Sequence, residues 1–557
     1  MSFRNTWHGL AFALLVTGCA EPELPVPAAT TTPDAEAATS TDDRPNILLI
    51  VADDLGFTDL GSFGSEIPTP NLDRLALEGV RLTNLHAARA CQQTRAMLMS
   101  GRGVSSVMES QPNRADGQRD NRLTTRVAAL PELMQDAGYA TFMSGKWDLG
   151  LTGDYRPATR GFDRSFAQLE ASSSHFAEPF WSEPSWYEED GVPIAYEDLP
   201  EDFYTTQTYT DKMLRFLAEH ESGQPWFAFM PYTAPHWPLM LPDDWLDRHA
   251  GRYDEGYDVL REARSSRAAE LGVIPEGASM SRFRPTAMRW DEVAEDQQQR
   301  YTRAQELYAG MVEYLDMSIG RVIDYLEQTG QLNNTVIMFT SDHGASPAEY
   351  GVNAGPAPAN AAPPAALAAV RDNRLENFGR TGSFVDHGTG FGEAATAPLK
   401  FYKGFLAEGG LRAAAFIRYP DAVAEPRIDD TFLTFMDILP TFLEIAGSEH
   451  PGAGEYRGRD ILPIVGESFW PYLTGAASTV HDDSDVSGWS AGSTGAIIRG
   501  DYKAINHGPP GAGMGMGAKR PWSLYDIAAD PGETNDLSEE MPELVSELVA
   551  IWERDWR

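Results

Sequence analysis

Asn46-Ile47-Leu48-Leu49-Ile50-Val51-Ala52 is an apolar run that follows Pro45 and stops at Asp53-Asp54. It is short, β-branched and without polar alternation. It therefore predicts a central strand of a parallel sheet, covered on both faces. Outward from it, Thr69-Pro70 opens a helix over 71–79 with Leu72, Leu75 and Ala76 on one face. A second helix is expected over 127–137, ended by Gly138, and a strand over 139–144. Trp226 to Pro231 reads as a third strand. A long helix from Glu292 to Gln328 leads into a strand from Asn334 to Ser341, which stops at Asp342. Helices alternating with buried strands predict an α/β fold, a large mixed and mostly parallel sheet flanked by helices.

A helix over 429–446, ended by Gly447, closes this pattern. Beyond it, Gly and Ser clusters separate short strands at 495–499 and 501–505, and a helix runs from Glu540 to Trp556. The main domain is expected over 44–447, and a smaller domain of antiparallel sheet plus helix over 448–557. Residues 354–370, almost all Ala, Pro, Asn and Gly, read as a loop insertion, with a short Ala-rich helix as the alternative.

Of the 557 residues 42% are hydrophobic, enough for a sizeable core, which excludes a wholly disordered chain. No run of the sequence approaches the roughly 20 apolar residues of a membrane-crossing helix, which excludes a polytopic membrane protein. Acidic residues number 82 against 44 basic ones, a net charge of −38. Such a surface repels phosphates and argues against nucleic acid as a partner. Arg4, the apolar run Leu10–Val16 and the small residues before Cys19 read as a secretory signal over 1–18. Val16-Thr17-Gly18-Cys19 resembles a bacterial lipoprotein box, with Cys19 lipidated. An ordinary cleavable signal is the alternative. Residues 19–43, mostly Pro, Ala, Thr and acidic, read as a flexible tether. Ala20, where an aspartate would favour inner-membrane retention, points outward. The expected location is outside the cytoplasm of a Gram-negative bacterium, as an outer-membrane lipoprotein or in the periplasm, with membrane contact through the lipid anchor only.

Asp53 and Asp54 at the end of a buried strand are costly without a compensating cation, although a solvated turn also favours Asp. The strand end Thr340-Ser341-Asp342-His343-Gly344 repeats the pattern. Two such ends on one sheet point to a hard cation, Ca²⁺ ahead of Mg²⁺. Cys91 heads a helical stretch with Arg95 one turn on. A thiol there is expected to have a lowered pKa and to be reactive, with a buried structural Cys as the alternative. With Cys19 acylated, Cys91 is the one thiol left. Lys146, His236 and Lys403, each weak alone, follow strand ends or lie in loops.

Taken together, these segments resemble the sulfatases, and among them the bacterial arylsulfatases of the alkaline phosphatase superfamily. The resemblance runs through Arg44–Gly56, Thr69–Asp73, Cys91–Arg102, Gly145–Trp147, Ala234–Pro238, Ser341–Gly344 and, near the end, Leu524–Asp526 with Asp530–Glu533. It spans about residues 44–557. It implies hydrolysis of a sulfate monoester, an aryl sulfate or a sulfated glycan. It implies one Ca²⁺ held by Asp53, Asp54, Asp342, His343 and the side chain at 91. It further implies that a formylglycine-generating enzyme oxidises Cys91 to formylglycine, whose hydrate is the nucleophile. Arg95 would stabilise the hydrate. Lys146, His236 and Lys403 would bind the sulfate oxygens or protonate the leaving group.

Two positions depart from the family pattern. Gln93 stands where the modification motif carries Pro or Ala, and Asp148 where Gly-Lys-Trp is followed by His. Asp148 either holds a proton or faces a cationic substrate group, and His387 is a candidate for the missing imidazole. Two other readings stay open: a phosphate or phosphonate ester hydrolase on the same fold, and a catalytically impaired binding lipoprotein.

Overall fold

The run that opened the sequence forms strand β1 (Asn46–Ala52), all seven residues buried. The computed structural model describes residues 42–557 apart from 112–119, 180–186, 222, 282–287, 353–370, 424 and 508–520. The signal segment, Cys19, nearly all of the tether and the Ala/Pro stretch 354–370 therefore lie outside the described residues. Around β1 the sheet is built from β2 (Val80–His86), β3 (Ala140–Lys146), β4 (Arg164–Gln168), β5 (Trp226–Pro231), β6 (Thr335–Ser341) and β7 (Arg412–Arg418). Their spatial order is β2-β7-β6-β1-β5-β3-β4, and short edge segments bring the sheet to eleven strands. The five strands from β6 to β4 are parallel, while β7 pairs antiparallel with both β6 and β2. The sheet is mixed and mostly parallel, as predicted.

Alternate residues of β1 feed two cores, which is why the run lacks polar alternation. Leu48, Ile50 and Ala52 face the layer of helices α1 (Pro70–Glu78), α4 (Thr205–Glu219) and α5 (Glu295–Gln328). Ile47, Leu49 and Val51 face α2 (Cys91–Ser100), α3 (Leu130–Asp136) and α6 (Ile438–Ile445). Each fully buried Leu, Ile or Val contributes about 1.5–3 kcal/mol, so β1 anchors both layers. No helix among the described residues is long and apolar enough to cross a membrane.

Two helices start later than the hydrophobic pattern suggests. Glu132 Oε2 accepts the Ala129 N–H at 2.7 Å, which fixes the start of α3 at Leu130 rather than 127. The stretch 429–446 is not one helix. Asp429 ends an edge strand and Leu433–Thr434 pairs with β2. Asp437 Oδ2 then accepts the Thr434 N–H at 2.7 Å, and α6 begins at Ile438. The C-terminal unit is an antiparallel sheet of Ser487–Ala491, Thr494–Arg499, Tyr502–Ile505 and Ser523–Asp526. Helix α7 (Pro542–Asp555) covers it with Leu548 and Trp552.

Candidate active site

Register assembles the site. Ala52 pairs with Ser341, so the next residues, Asp53 and Asp342, leave the sheet side by side. The Asp54 N–H donates to Asp342 Oδ1 at 3.1 Å, tying the two strand exits together. Asp54 takes a left-handed φ of 65°, a conformation Asp tolerates better than most residues and one found at functional loops. Cys91 is the first residue of α2 and is buried. His343 Nδ1–H donates to the Gly344 carbonyl at 2.8 Å. Its Nε2 is thereby turned toward Cys91 Sγ (3.3 Å), Asp54 Oδ1 (3.4 Å) and Asp342 Oδ1 (3.5 Å).

Ligating atoms of Asp53, Asp54, Cys91 and His343 all lie within 4.8 Å of one another, with Asp342 bordering them. Asp53 Oδ1 and Asp342 Oδ2 are buried without a hydrogen-bond partner among the described residues. Electron-rich atoms converging in a dry space, two of them orphaned, fit a cation with oxygen and nitrogen ligands. The five predicted ligands are thus gathered at one point.

Cations ring the same point. Lys146 Nζ donates to Asp53 Oδ2 at 2.5 Å. Lys403 Nζ donates to Asp54 Oδ1 at 2.7 Å and stands 3.3 Å from Cys91 Sγ. Arg95 lies 3.6 Å from Asp53 and 3.5 Å from Asp342, and its Nη1 donates to the Lys146 carbonyl at 2.8 Å. Burial opposes ionisation of Asp53, yet the field of Lys146 foremost among these cations holds its pKa well below the usual range. Burial also opposes charge on Lys403, and Asp54 overrides it and keeps the ammonium protonated. His236 Nδ1–H donates to the Trp237 carbonyl at 2.6 Å, and Nε2 faces Asp54 Oδ2 at 3.5 Å. Burial drives the His236 pKa down to about 3, so its imidazole is neutral.

The Cys91 thiol corrects one expectation. Burial, reinforced by Asp53, raises its pKa well above the ordinary thiol value, against the pull of Lys146 and Lys403. The helix N-terminus and Arg95 do not make it a thiolate.

Asp148 lies two residues beyond β3 Lys146, buried, with a left-handed φ of 56°. Gln92, next to Cys91, donates from Nε2 to the Asp148 carbonyl at 3.0 Å and to Asp148 Oδ1 at 3.2 Å. Burial raises the Asp148 pKa to about 6 although Lys146 and Arg95 pull it down. Gln93, the other departure, lines a separate cavity with Arg89, Met97 and Trp489. His387 does not supply an imidazole here. Its Nδ1 is bonded to Gln305 Oε1 at 2.9 Å and its Nε2 to the Ser346 carbonyl at 2.8 Å.

Supporting residues escaped the sequence reading. Tyr308 OH donates to the Asp54 carbonyl at 3.2 Å and to Asp59 Oδ2 at 2.6 Å, and Arg264 pairs with Asp59 from behind. The Gly56 N–H donates to the same Asp59 oxygen at 2.6 Å, so Asp59 fixes the turn after Asp54. A Gly followed three residues later by Asp is the one local signal that could have found it. The loop carrying Lys403 is held from the C-terminal unit. Lys400 Nζ donates to the Glu533 carbonyl at 2.7 Å. Lys503 Nζ bridges Glu408 (2.8 Å) and Glu533 (3.1 Å), all three side chains being fully buried.

The sulfatase family profile matches residues 45–448. An uncharacterised sulfatase of Schizosaccharomyces pombe is 42% identical over 533 residues, 91% of this chain and 93% of that protein. The arylsulfatase of Klebsiella aerogenes is 32% identical over 438 residues, 76% of this chain and 91% of that protein. The crystal structure of Ps i-CgsB in complex with k-i-k-neocarrahexaose superposes with a TM-score of 0.63 at 22% identity, covering 92% of each chain. A match over most of the main domain, relatives aligned nearly end to end and the shared architecture place this chain in the sulfatase family of the alkaline phosphatase superfamily.

Proposed function

We propose that the protein hydrolyses sulfate monoesters in the manner of an arylsulfatase, with formylglycine formed from Cys91 by a formylglycine-generating enzyme and one Ca²⁺. The observation that carries this reading is the convergence of four metal-type donors, Asp53, Asp54, Asp342 and His343, and three cationic side chains around position 91. Asp53, Asp54, Asp342 and His343 would hold the ion, together with the side chain at 91. Ca²⁺ fits this mainly oxygen set better than Mg²⁺, which demands stricter octahedral geometry. When bound, the ion supplies positive charge against the sulfuryl oxygens, and the hydrated aldehyde at 91 supplies the attacking oxygen. Lys146 and Lys403, locked as ammonium ions, bind the sulfate oxygens and stabilise the charge that develops on them. Arg95 holds the 146 carbonyl and the carboxylates in place and supports the hydrate. His236, neutral and fixed in one tautomer, orients the ester against Asp54.

The raised Cys91 thiol argues against a phosphate or phosphonate hydrolase that would use the unmodified sulfur as its nucleophile. The complete donor set argues against an impaired binding lipoprotein. An aryl sulfate or a sulfated glycan fits as substrate, and the anionic ester finds its local attraction in the three cations rather than in the surface of net charge −38. The signal over 1–18, a lipidated Cys19, an acidic tether over 19–43, a catalytic domain over 44–447 and a C-terminal domain over 448–557 complete the proposal. They describe an exported protein of the outer membrane or periplasm. Mass spectrometry of the tryptic peptide carrying position 91, from the native host, tests the core of the reading. Formylglycine is expected in at least a fraction of molecules, and an alkylatable thiol in every molecule would overturn it.

A further inference from the structure

The segment that leads into the C-terminal sheet carries ligand-type side chains that the chemistry at position 91 does not use. One ligand atom from each of Glu467, His481 and Asp485 lies within 4.8 Å of the others. Asp437, the buried carboxylate just before α6, fixes two of the three. Its Oδ2 accepts the His481 Nε2–H at 3.1 Å, and its Oδ1 accepts the Glu467 backbone N–H at 2.8 Å. With Nε2 committed, Nδ1 is the ring nitrogen left to ligate. A carboxylate that orients a histidine in this way is the usual outer partner of a metal-bound imidazole. Asp485 is set by its own turn. Its Oδ2 accepts the Asp482 N–H at 2.7 Å and its N–H donates to the Asp482 carbonyl at 2.9 Å, which leaves Oδ1 open.

The surroundings give a second, independent pointer. These groups line a cavity of about 420 Å³, with Met436 from the main domain and Ile498 and Trp556 from the C-terminal unit. Five acidic residues line it, Asp437, Glu467, Asp482, Asp483 and Asp485, and among the described residues no Lys or Arg does. Around position 91, by contrast, Asp53, Asp54 and Asp342 are each matched by a Lys or Arg. A concave surface lined by one sign of charge, with no protein counter-charge beyond one imidazole, concentrates cations.

We propose that Glu467, His481 and Asp485 bind a divalent transition cation of the zinc type, a second metal site that clasps the segment before the C-terminal sheet onto the head of α6. One imidazole and two carboxylates, with room in the cavity for water as the fourth ligand, suit zinc. Calcium would want six to eight oxygens, which this trio does not supply. Zinc bonds of about 2.0–2.2 Å require the ligand atoms to draw slightly closer. Glu467 and Asp485 are exposed side chains and can turn inward, while Asp437 keeps His481 in place. The strand Ser487–Ala491 begins two residues after Asp485, so the ion would fix the entry to the C-terminal sheet.

The test titrates zinc chloride, by calorimetry and elemental analysis, into full-length protein stripped of metals by chelation and reloaded with calcium in excess. Wild type is expected to take up one zinc per chain, saturating below about 100 µM. His481→Gln keeps a donor for Asp437 but loses the ligating nitrogen, and its zinc affinity should fall about 100-fold or more. Glu467→Gln and Asp485→Asn should each lose at least about tenfold, with bound calcium unchanged in all three variants. Protease cleavage within 476–486 should slow about tenfold or more when zinc is bound, and an unchanged rate would overturn the clasp. Absence of saturable zinc, equal affinity in wild type and all three variants, or displacement of the zinc by the calcium in excess would overturn the site. Should the variants fail to fold, zinc K-edge absorption of wild-type protein that keeps the Cys91 thiol decides instead. Only nitrogen and oxygen neighbours at about 2.0–2.2 Å are expected, and a sulfur neighbour at about 2.3 Å would put the zinc at Cys91 and overturn the proposal.

Discussion

Lys146 Nζ lies 2.5 Å from Asp53 Oδ2, with both side chains wholly out of solvent. Removing one partner of such a pair leaves the other charge buried and uncompensated, at a cost of about 3–5 kcal/mol. Lys146→Met is therefore expected to lose stability of that order in urea denaturation without calcium. The loss should be smaller with calcium in excess, because the ion takes over part of the compensation of Asp53. Identical denaturation midpoints for variant and wild type in the calcium-free state would contradict this account.

Calcium itself should behave as a folded-state ligand. At 100 times its dissociation constant it adds about 2.7 kcal/mol, so chelation should lower the melting temperature of the wild type. Asp53→Ala and Asp342→Ala are expected to bring bound calcium, measured by elemental analysis, from one per chain to near zero. Calcium that persists in both variants would place the ion elsewhere.

Asp53 and Asp148 should bend the pH dependence of stability in opposite directions. The folded Asp53 pKa is depressed. Its contribution is therefore full above about pH 4, where an unfolded Asp ionises, and is lost as pH falls toward its folded value. Asp148 is raised to about 6, so the folded state holds a proton that the unfolded chain has released. Stability should fall by about 3 kcal/mol as pH rises from about 4 through 6 on account of Asp148 alone. Denaturation of Asp148→Asn across this range should lack that component, and superimposable wild-type and variant curves would refute it.

Gly344, directly after His343, packs so tightly that a Cβ there would overlap the Gly409 carbonyl oxygen. Backbone cannot yield as a flexible side chain does, so Gly344→Ala should destabilise by about 1–3 kcal/mol or more. It should also weaken calcium binding by displacing His343, and calorimetric titration would detect this. Wild-type affinity in a folded Gly344→Ala protein would count against the role given to this turn.

Much of the fold could be read because β1, β5 and β6 are fully buried, and burial on both faces writes itself as unbroken apolar runs. The strand ends at Asp53 and Asp342 were legible for the same reason, as an apolar run that stops at a carboxylate is conspicuous. Residues 429–434 were misjudged because edge pairing with β2 overrides a helix-like pattern, and no local feature announces a neighbour over 340 residues away in the chain. The behaviour of Cys91 was misjudged because its helix position is local, whereas the burial and Asp53 that raise its pKa are tertiary. The hold of Gln92 on Asp148 spans 56 residues and has no signature in either segment.

The buried bridge from Lys503 to Glu408 and Glu533 sets a boundary for dissecting this protein. A fragment ending near residue 448 would retain the described side chains that surround position 91. It would nevertheless strand Glu408 without its lysine and leave Lys400 without its carbonyl anchor, on the very loop that aims Lys403. The last hundred residues thus act as a backing plate for the loop that carries Lys403, while none of their described residues reaches position 91. An attempt to graft, swap or minimise this enzyme has to carry them along.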